Sequence, residues 1–173
     1  MYQFAEILKY VLPSVVTFLT AWYLVKAFLV NDQKKRLLEI RMKSTELILP
    51  VRLQAYERCL LLMERISLNN LIVRSSLPGS SAGELHSYLV GTVRQEFDHN
   101  LSQQLYVSRE AWELIRSAKE EVLKDLNSGL SNLPEGATGQ ELAGHILEGT
   151  LKQKNPLTQK AIEQLKKEVA RQF

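Results

Sequence analysis

The sequence predicts an all-α protein with one N-terminal transmembrane helix, a juxtamembrane stalk and a cytoplasmic bundle of about five helices. Two observations predict this class. Residues 11–30 form a long apolar run whose single charged residue is Lys26. Beyond residue 30, apolar residues recur mostly at three-to-four spacing, which is typical of amphipathic helices, and no convincing alternating strand pattern is present. That part, about 140 residues, is enough for one small helical domain with its own core.

The apolar run at residues 11–30 has the length of a membrane span. At about 1.5 Å per residue, a helix of this length reaches about 30 Å, the thickness of a bilayer's hydrocarbon core. Tyr10, Trp22 and Tyr23 suit the interface with water, and Lys26 can extend to the boundary beyond them. No small-x-small cleavage site follows the run, so we expect a retained anchor rather than a signal peptide. A buried helix of a soluble protein is the other reading, and the length and flanking charges argue against it.

Basic residues after the span predict its orientation. They are Lys34, Lys35, Arg36, Arg41 and Lys43. Because lysine and arginine bias sets topology, we expect residues 1–10 outside and residues 31–173 in the cytoplasm, with the span in the cytoplasmic (inner) membrane. The predicted membrane-interface residues are Lys26, Lys34, Lys35 and Arg36. One cysteine in 173 residues excludes an internal disulfide, as expected for a reducing compartment.

Pro50 divides the region that follows the span. Residues 31–49 are predicted to form the stalk, and residues 50–173 the helical domain, whose first helix runs from Pro50 to about Ile72. A proline inside a helix costs on the order of 3 kcal/mol, whereas the first helical position favours it. The apolar face of this region comprises Leu37, Ile40, Leu47, Val51, Ala55, Cys59, Leu62, Met63 and Ile66.

Capping signals mark the starts of four further helices. Each signal is a Ser, Thr or Asn that can accept a hydrogen bond from the first turn, and two are followed by Glu three residues later. The four are Ser81 with Glu84, Ser108, Thr138 with Glu141, and Asn155 with Pro156. We expect loops at residues 75–83 and 127–139. The predicted core stripes are Leu85, Tyr88, Leu89, Val93, Phe97 and Leu101; Trp112, Ile115, Ala118, Val122 and Leu126; and Leu157, Ala161, Ile162, Leu165 and Val169.

The densest polar cluster of the chain contains a Glu-Arg pair that is repeated after seven residues. Residues seven apart occupy nearly the same azimuth of a helix. The cluster is either a solvated face, a set of ion pairs with neighbouring helices, or a docking surface for a partner or a second copy. The ordinary interpretation of such a cluster is a solvated face or ion pairs. In a docking surface Tyr56 and Arg58 would be the anchors, because Tyr and Arg are enriched at binding hot spots. The candidate partner-binding residues are Arg52, Tyr56, Glu57, Arg58, Glu64 and Arg65.

No motif for catalysis is evident in the sequence. Glu96 and His99 have the Glu-x-x-His spacing of di-iron bundles, but such proteins need two of these motifs and two further glutamates. Cys59 lies on an apolar face, and no Gly-x-Ser-x-Gly elbow or P-loop is present. We therefore predict no catalytic residue, metal ligand or cofactor, which favours a non-enzymatic protein and leaves an enzyme open. A net charge of +3 without a basic stripe among aromatics argues against a nucleic-acid partner.

The function that these patterns favour is that of a membrane-anchored, non-enzymatic helical interaction or scaffold protein. Its partners would be the lipid bilayer and a membrane or cytoplasmic protein of unknown identity. A peripheral sensor of anionic lipid, using Lys34, Lys35, Arg36 and the last helix, is the alternative, and a metal-dependent enzyme centred on Glu96 and His99 is a weaker one. Ser14, Thr17 and Thr20 could support a homo-oligomer, or bond to their own backbone.

Two stretches of the chain carry a resemblance to known sequences. They are residues 49–58 (LPVRLQAYER), followed by residues 64–66 (ERI) and 69–71 (NNL), and residues 94–106 (RQEFDHNLSQQLY), with Trp112 beyond. Together with the span they resemble a bacterial family of small single-span membrane proteins known only as a domain of unknown function. The resemblance covers residues 5–127 and implies no activity and no cofactor. It suggests that the two stretches are signature surfaces or core contacts of that family.

Overall fold

The described residues of the computed structural model, 2–75, 78–152 and 155–172, form helices and no strand, which confirms the all-α class. Their α-helices are α1 (Tyr2–Ile66), α2 (Leu68–Arg74), α3 (Ala82–His99), α4 (Arg109–Ser131), α5 (Gly139–Lys152) and α6 (Leu157–Gln172), with a 3-10 helix at Leu101–Leu105. The chain divides into two compact units, Met1–Leu49 and Pro50–Phe173. We call the second unit the bundle.

The first unit consists of α1 up to Leu49, and its described apolar side chains are not buried by the protein. The stretch Pro13–Ile40 is long and apolar enough to cross a membrane, and none of it is buried. Phe18 is 65% exposed and Phe28 is 70% exposed. The hydroxyls of Thr17 and Thr20 donate to backbone carbonyls of the preceding turn, so they bond within their own helix. The side chains at positions 6, 9 and 10 lie outside the described residues.

Pro50 lies inside α1, so the predicted helix start at this residue is wrong. A proline ring fixes φ near −65°, which suits a helix, and its missing N–H removes a single hydrogen bond. The α1 helix nevertheless runs on through Pro50 to Ile66. The apolar face predicted for this region is buried only in part. Leu37, Ile40 and Leu47 are exposed, whereas the members from Ala55 onward are buried.

The α1 helix ends at Ile66 instead of continuing to Ile72, because side chains take the hydrogen bonds that would extend it. Ser67 Oγ and Asn70 Nδ2 both donate to the backbone carbonyl of Glu64, at 2.8 and 2.9 Å. In a continuing helix that carbonyl would accept the N–H of Leu68. Ser and Asn side chains compete with helical hydrogen bonds in this way. The chain bends at Ser67 and restarts as the short α2 helix.

The core of the bundle is built from the inward faces of α1 to α6. The predicted stripes are largely confirmed, except that Tyr88 and Leu101 are exposed and that Trp112, Leu157 and Val169 are half-buried. The ring of Trp112 packs on that of Phe97 with centroids 5.5 Å apart. The most deeply buried large side chains include Leu62, Met63, Ile66, Leu71, Leu89, Ile115, Leu126, Leu142 and Leu165.

Both predicted capping boxes are present, and the two helix starts lie side by side. Ser81 Oγ accepts the N–H of Glu84, and Thr138 Oγ1 accepts the N–H of Glu141, both at 3.3 Å. Each glutamate in return accepts the backbone N–H of its capping residue. Backbone hydrogen bonds from Ala82 to Ala137 and from Gly139 to Ser80 join the two starts. The hydrogen bonds from Ser81 and Thr138 lower the pKa of Glu84 and Glu141.

The helices α4 and α6 start close to their predicted capping residues, with two corrections. Ser108 caps α4 as predicted, but the helix runs on to Ser131, so the loop expected from residue 127 is shorter. Pro156 precedes α6 instead of opening it, and its carbonyl accepts the N–H groups of Gln159 and Lys160. The N–H of Leu157 is bound by the Glu121 carboxylate at 2.7 Å, so an acidic side chain of α4 satisfies the first turn of α6.

Candidate functional site

An open groove of about 490 Å³ lies on the bundle between α1 and α3. It brings together two arginines of the predicted partner-binding set and the Glu96 and His99 pair. Its walls are Arg58, Leu61, Leu62, Arg65, Thr92, Gln95, Glu96, His99 and Asn100. The seven-residue repeat places Arg58 and Arg65 on this one side of α1, and three-to-four spacing places the polar residues on the facing side of α3.

The two Glu-Arg pairs of α1 are split between different surfaces. Arg58 and Arg65 line the groove, whereas Glu57 lines an apolar groove of about 280 Å³ between α1 and α6. Glu64 is exposed and accepts a hydrogen bond from Asn70 Nδ2 at 3.3 Å. Adjacent residues lie about 100° apart around a helix, so paired neighbours in sequence face different sides. The groove is therefore lined by Arg58 and Arg65 but not by their sequence neighbours Glu57 and Glu64.

Arg65 is held in the groove by an ion pair with Glu96 of α3. Its Nη1 lies 3.1 and 3.2 Å from the two carboxylate oxygens. The Arg65 side chain is 53% exposed and that of Glu96 is 19% exposed, so water screens the contact. An exposed pair of this kind contributes about 0.2–1 kcal/mol to stability. The ion pair therefore contributes little to the stability of the bundle. Its main effect is to fix the position of the Arg65 guanidinium group.

Arg58 stands at the same groove without an ion pair among the described residues. Beside it, Leu61 is 54% exposed. The groove therefore offers an uncommitted guanidinium group next to an exposed apolar side chain. Arginine beside apolar surface is common at protein–protein hot spots.

Tyr56 lies inside the bundle, in a polar network that the sequence did not indicate. Its side chain is 2% exposed and its hydroxyl donates to Glu168 Oε2 at 2.8 Å. Ser108 Oγ and Gln164 Nε2 donate to Oε1 of the same carboxylate. Burial alone would raise the pKa of Glu168, but the hydrogen bonds from Ser108, Tyr56 and Gln164 outweigh it and the pKa is lowered. Tyr56 therefore joins α1 to α4 and α6, and its ring is not part of the exposed surface.

The remaining predicted site residues are not among those that line the groove. Arg52 Nε donates to the backbone carbonyl of Tyr106 at 3.3 Å, so it ties α1 to the segment before α4. In the first unit, Lys26, Lys34 and Lys35 are exposed, and Arg36 Nε contacts Asp32 at 2.9 Å.

Within the described ranges, no further metal-ligating side chain is grouped with Glu96 and His99. Glu96 is engaged by Arg65, and the described part of the chain contains no group of three or more His, Cys, Asp or Glu residues placed to hold a metal ion. Burial raises the pKa of the Cys59 thiol to about 11, so this residue is a protonated core side chain at neutral pH. The chemistry of the groove is that of ion pairing and hydrogen bonding.

Sequence reasoning missed Thr92, Gln95 and Asn100, which line the groove beside Glu96 and His99. Their signal is a polar stripe at three-to-four spacing on α3, opposite its apolar stripe. Such a stripe is ordinarily a solvated helix face. Only the packing of α1 beside α3 makes it the wall of a groove.

Comparison with known proteins identifies one match. No curated protein and no solved structure matches the chain. A family model described as "Family of unknown function (DUF7935)" matches residues 2–172. The match extends beyond the resemblance at residues 5–127 and includes α5 and α6. The chain therefore belongs to this family of unknown function.

Proposed function

We propose that this protein is a membrane-anchored, non-enzymatic interaction or scaffold protein whose helical bundle docks a protein partner beside the bilayer. The observation that carries the proposal is the uncovered apolar stretch Pro13–Ile40, none of which is buried by the protein itself. An apolar helix in the core of a soluble protein is mostly buried, and a large exposed apolar surface needs another cover. The hydrocarbon core of a bilayer, about 30 Å thick, would cover about 20 residues of such a helix.

The proposed topology follows from the charges that flank the span. The basic residues Lys34, Lys35 and Arg36 lie at the C-terminal end of the stretch Pro13–Ile40, beyond the apolar run at residues 11–30, which favours an N-terminus outside and a cytoplasmic bundle. The bundle would then sit at the inner face of the cytoplasmic membrane, with the α1–α3 groove available to a membrane or cytoplasmic protein. A homo-oligomer is one form that such an assembly could take.

Lipid sensing by the last helix receives less support than protein docking. The apolar residues Ala161, Ile162 and Leu165 of α6 are at most 3% exposed, because they pack into the bundle. An interfacial helix inserts its apolar face into the bilayer, and α6 has already buried that face. Anionic lipid would then be contacted chiefly through Lys34 and Lys35.

Charge reversal at the groove tests the docking role. A tagged protein extracted in mild detergent should retain a partner at fixed ratio, and Arg58→Glu should release it. Arg58 makes no ion pair among the described residues, so its reversal should leave the melting temperature within about 2 °C of the wild-type value, since surface changes stay within about 0.5 kcal/mol. Unchanged capture by the Arg58→Glu variant, measured by quantitative mass spectrometry, would contradict docking at this groove.

A further inference from the structure

We infer that the α1–α3 groove binds an acidic segment of a protein partner. The inference rests on the proposed function, because it names the chemical class of the partner that the bundle would dock. Charge, apolar contact and hydrogen-bonding capacity within the groove all point to this class.

The charges of the groove favour an anionic occupant. Its walls carry the guanidinium groups of Arg58 and Arg65 against the single carboxylate of Glu96. That carboxylate is already engaged by Arg65 Nη1, which leaves Arg58 as the guanidinium group able to receive a carboxylate from outside. Glutamates 57 and 64 of the same helix do not line the groove. Carboxylates of a partner therefore meet an excess of positive charge there.

The other groups of the groove fit a peptide. Leu61 is half exposed and offers apolar contact, and Gln95 provides an amide that can bond to a peptide backbone. The Thr92 hydroxyl donates to the Tyr88 carbonyl and can still accept a hydrogen bond from a peptide N–H. Among the described residues, no Phe, Tyr or Trp lines the groove and His99 is its single aromatic ring, so single-stranded nucleic acid would find no row of rings on which successive bases could stack. A peptide that combines carboxylates with an apolar side chain matches all of these groups.

A hexaglutamate peptide carrying an uncharged dye is the probe for this inference. We expect it to bind the purified full chain in maltoside micelles, with fluorescence anisotropy rising at about 50 mM salt and falling back at about 300 mM, where screening is stronger. A hexalysine peptide with the same dye should not bind. Absence of hexaglutamate binding at the lower salt concentration would overturn the inference.

Three variants show whether binding occurs in the groove. Arg58→Glu should weaken hexaglutamate binding about tenfold or more, because an attractive charge becomes repulsive. Gln95→Trp adds no charge but fills the groove, and should weaken binding to a similar extent. Arg94→Glu is the matched control: Arg94 is exposed on α3 and lines a different cleft, so its reversal should change the affinity by less than about twofold.

Two results with these variants would overturn the inference. Equal losses for Arg58→Glu and Arg94→Glu would mean that hexaglutamate responds only to the overall charge, and unchanged binding by Gln95→Trp would place the peptide elsewhere. Circular dichroism of each variant confirms that the helices are intact. The peptide assay requires no membrane, so the proposed function is tested separately. That function fails if the native protein is not retained in the membrane.

Discussion

Gly129 occupies a position in α4 where no side chain has room. A Cβ built on it would lie 2.8 Å from Ile146 Cγ1 of α5, closer than carbon atoms can approach. That neighbour is a branched core side chain, 4% exposed, and it cannot swing away. Gly91 in α3 differs, because a Cβ added there meets nothing within 4 Å.

These two glycines should respond in opposite directions to alanine. Gly129→Ala should lower the free energy of unfolding by about 1–3 kcal/mol, because overpacking outweighs the gain in helix propensity. Gly91→Ala should raise it by about 0.5–1 kcal/mol, since alanine favours the helix and has space. Urea unfolding of both variants provides the measurement. A gain in stability for Gly129→Ala would contradict the close approach of Gly129 in α4 to Ile146 in α5.

The hydroxyl of Tyr56 contributes to stability through one buried hydrogen bond. Tyr56→Phe removes the donor to Glu168 Oε2 and preserves the ring in the core. We expect a loss of about 1–3 kcal/mol, because a buried acceptor loses a partner. The measurement is the midpoint of urea unfolding, with Tyr88→Phe on the exposed face of α3 as the matched control that should change little.

At the scale of the elements, Glu168 joins three helices and makes their packing depend on pH. Its pKa is lowered from 4.5 in the folded bundle, so the unfolded chain binds its proton more readily. The carboxylate therefore stabilises the fold fully above pH 4.5, and this contribution is lost as the pH falls through the lower, folded pKa.

The variant Glu168→Gln should remove this dependence on pH. At neutral pH we expect it to lower the free energy of unfolding by about 1.5–3 kcal/mol, because hydrogen bonds to a charged acceptor are the stronger ones. The difference from wild type should shrink as the pH is lowered below 4.5, since the wild-type carboxylate becomes protonated. Urea unfolding at a series of pH values measures it. A difference that stays constant with pH would contradict the role assigned to this carboxylate.

Local chemistry explains which elements could be predicted from the sequence. The capping boxes at Ser81 and Thr138 are complete within four residues, and the core stripes need only helical periodicity. Glu168 was missed because it follows two lysines on a face that reads as solvated, and because its partners Tyr56 and Ser108 come from parts of the chain distant in sequence. The helix end at Ile66 depends on two side chains competing for one carbonyl, which periodicity does not reveal.

At the scale of the whole molecule, the sequence predicted an apolar helix and a helical bundle but could not predict the groove. The repeat at Arg58 and Arg65 determines that both arginines share a side of α1. It does not determine which helix packs beside that side, or that the neighbouring glutamates face elsewhere. Those facts depend on contacts between residues distant in sequence, such as Arg65 with Glu96.

The most direct test of the account is the mass and location of the native protein. Membranes washed at high pH, which strips peripheral proteins, should retain the chain, and intact mass spectrometry of the extracted protein should show that residues 1–30 are still attached. This result is expected because the stretch Pro13–Ile40 is uncovered by the fold and of spanning length. Release of the chain into the wash, or a mature protein lacking its first 30 or so residues, would contradict the membrane anchor.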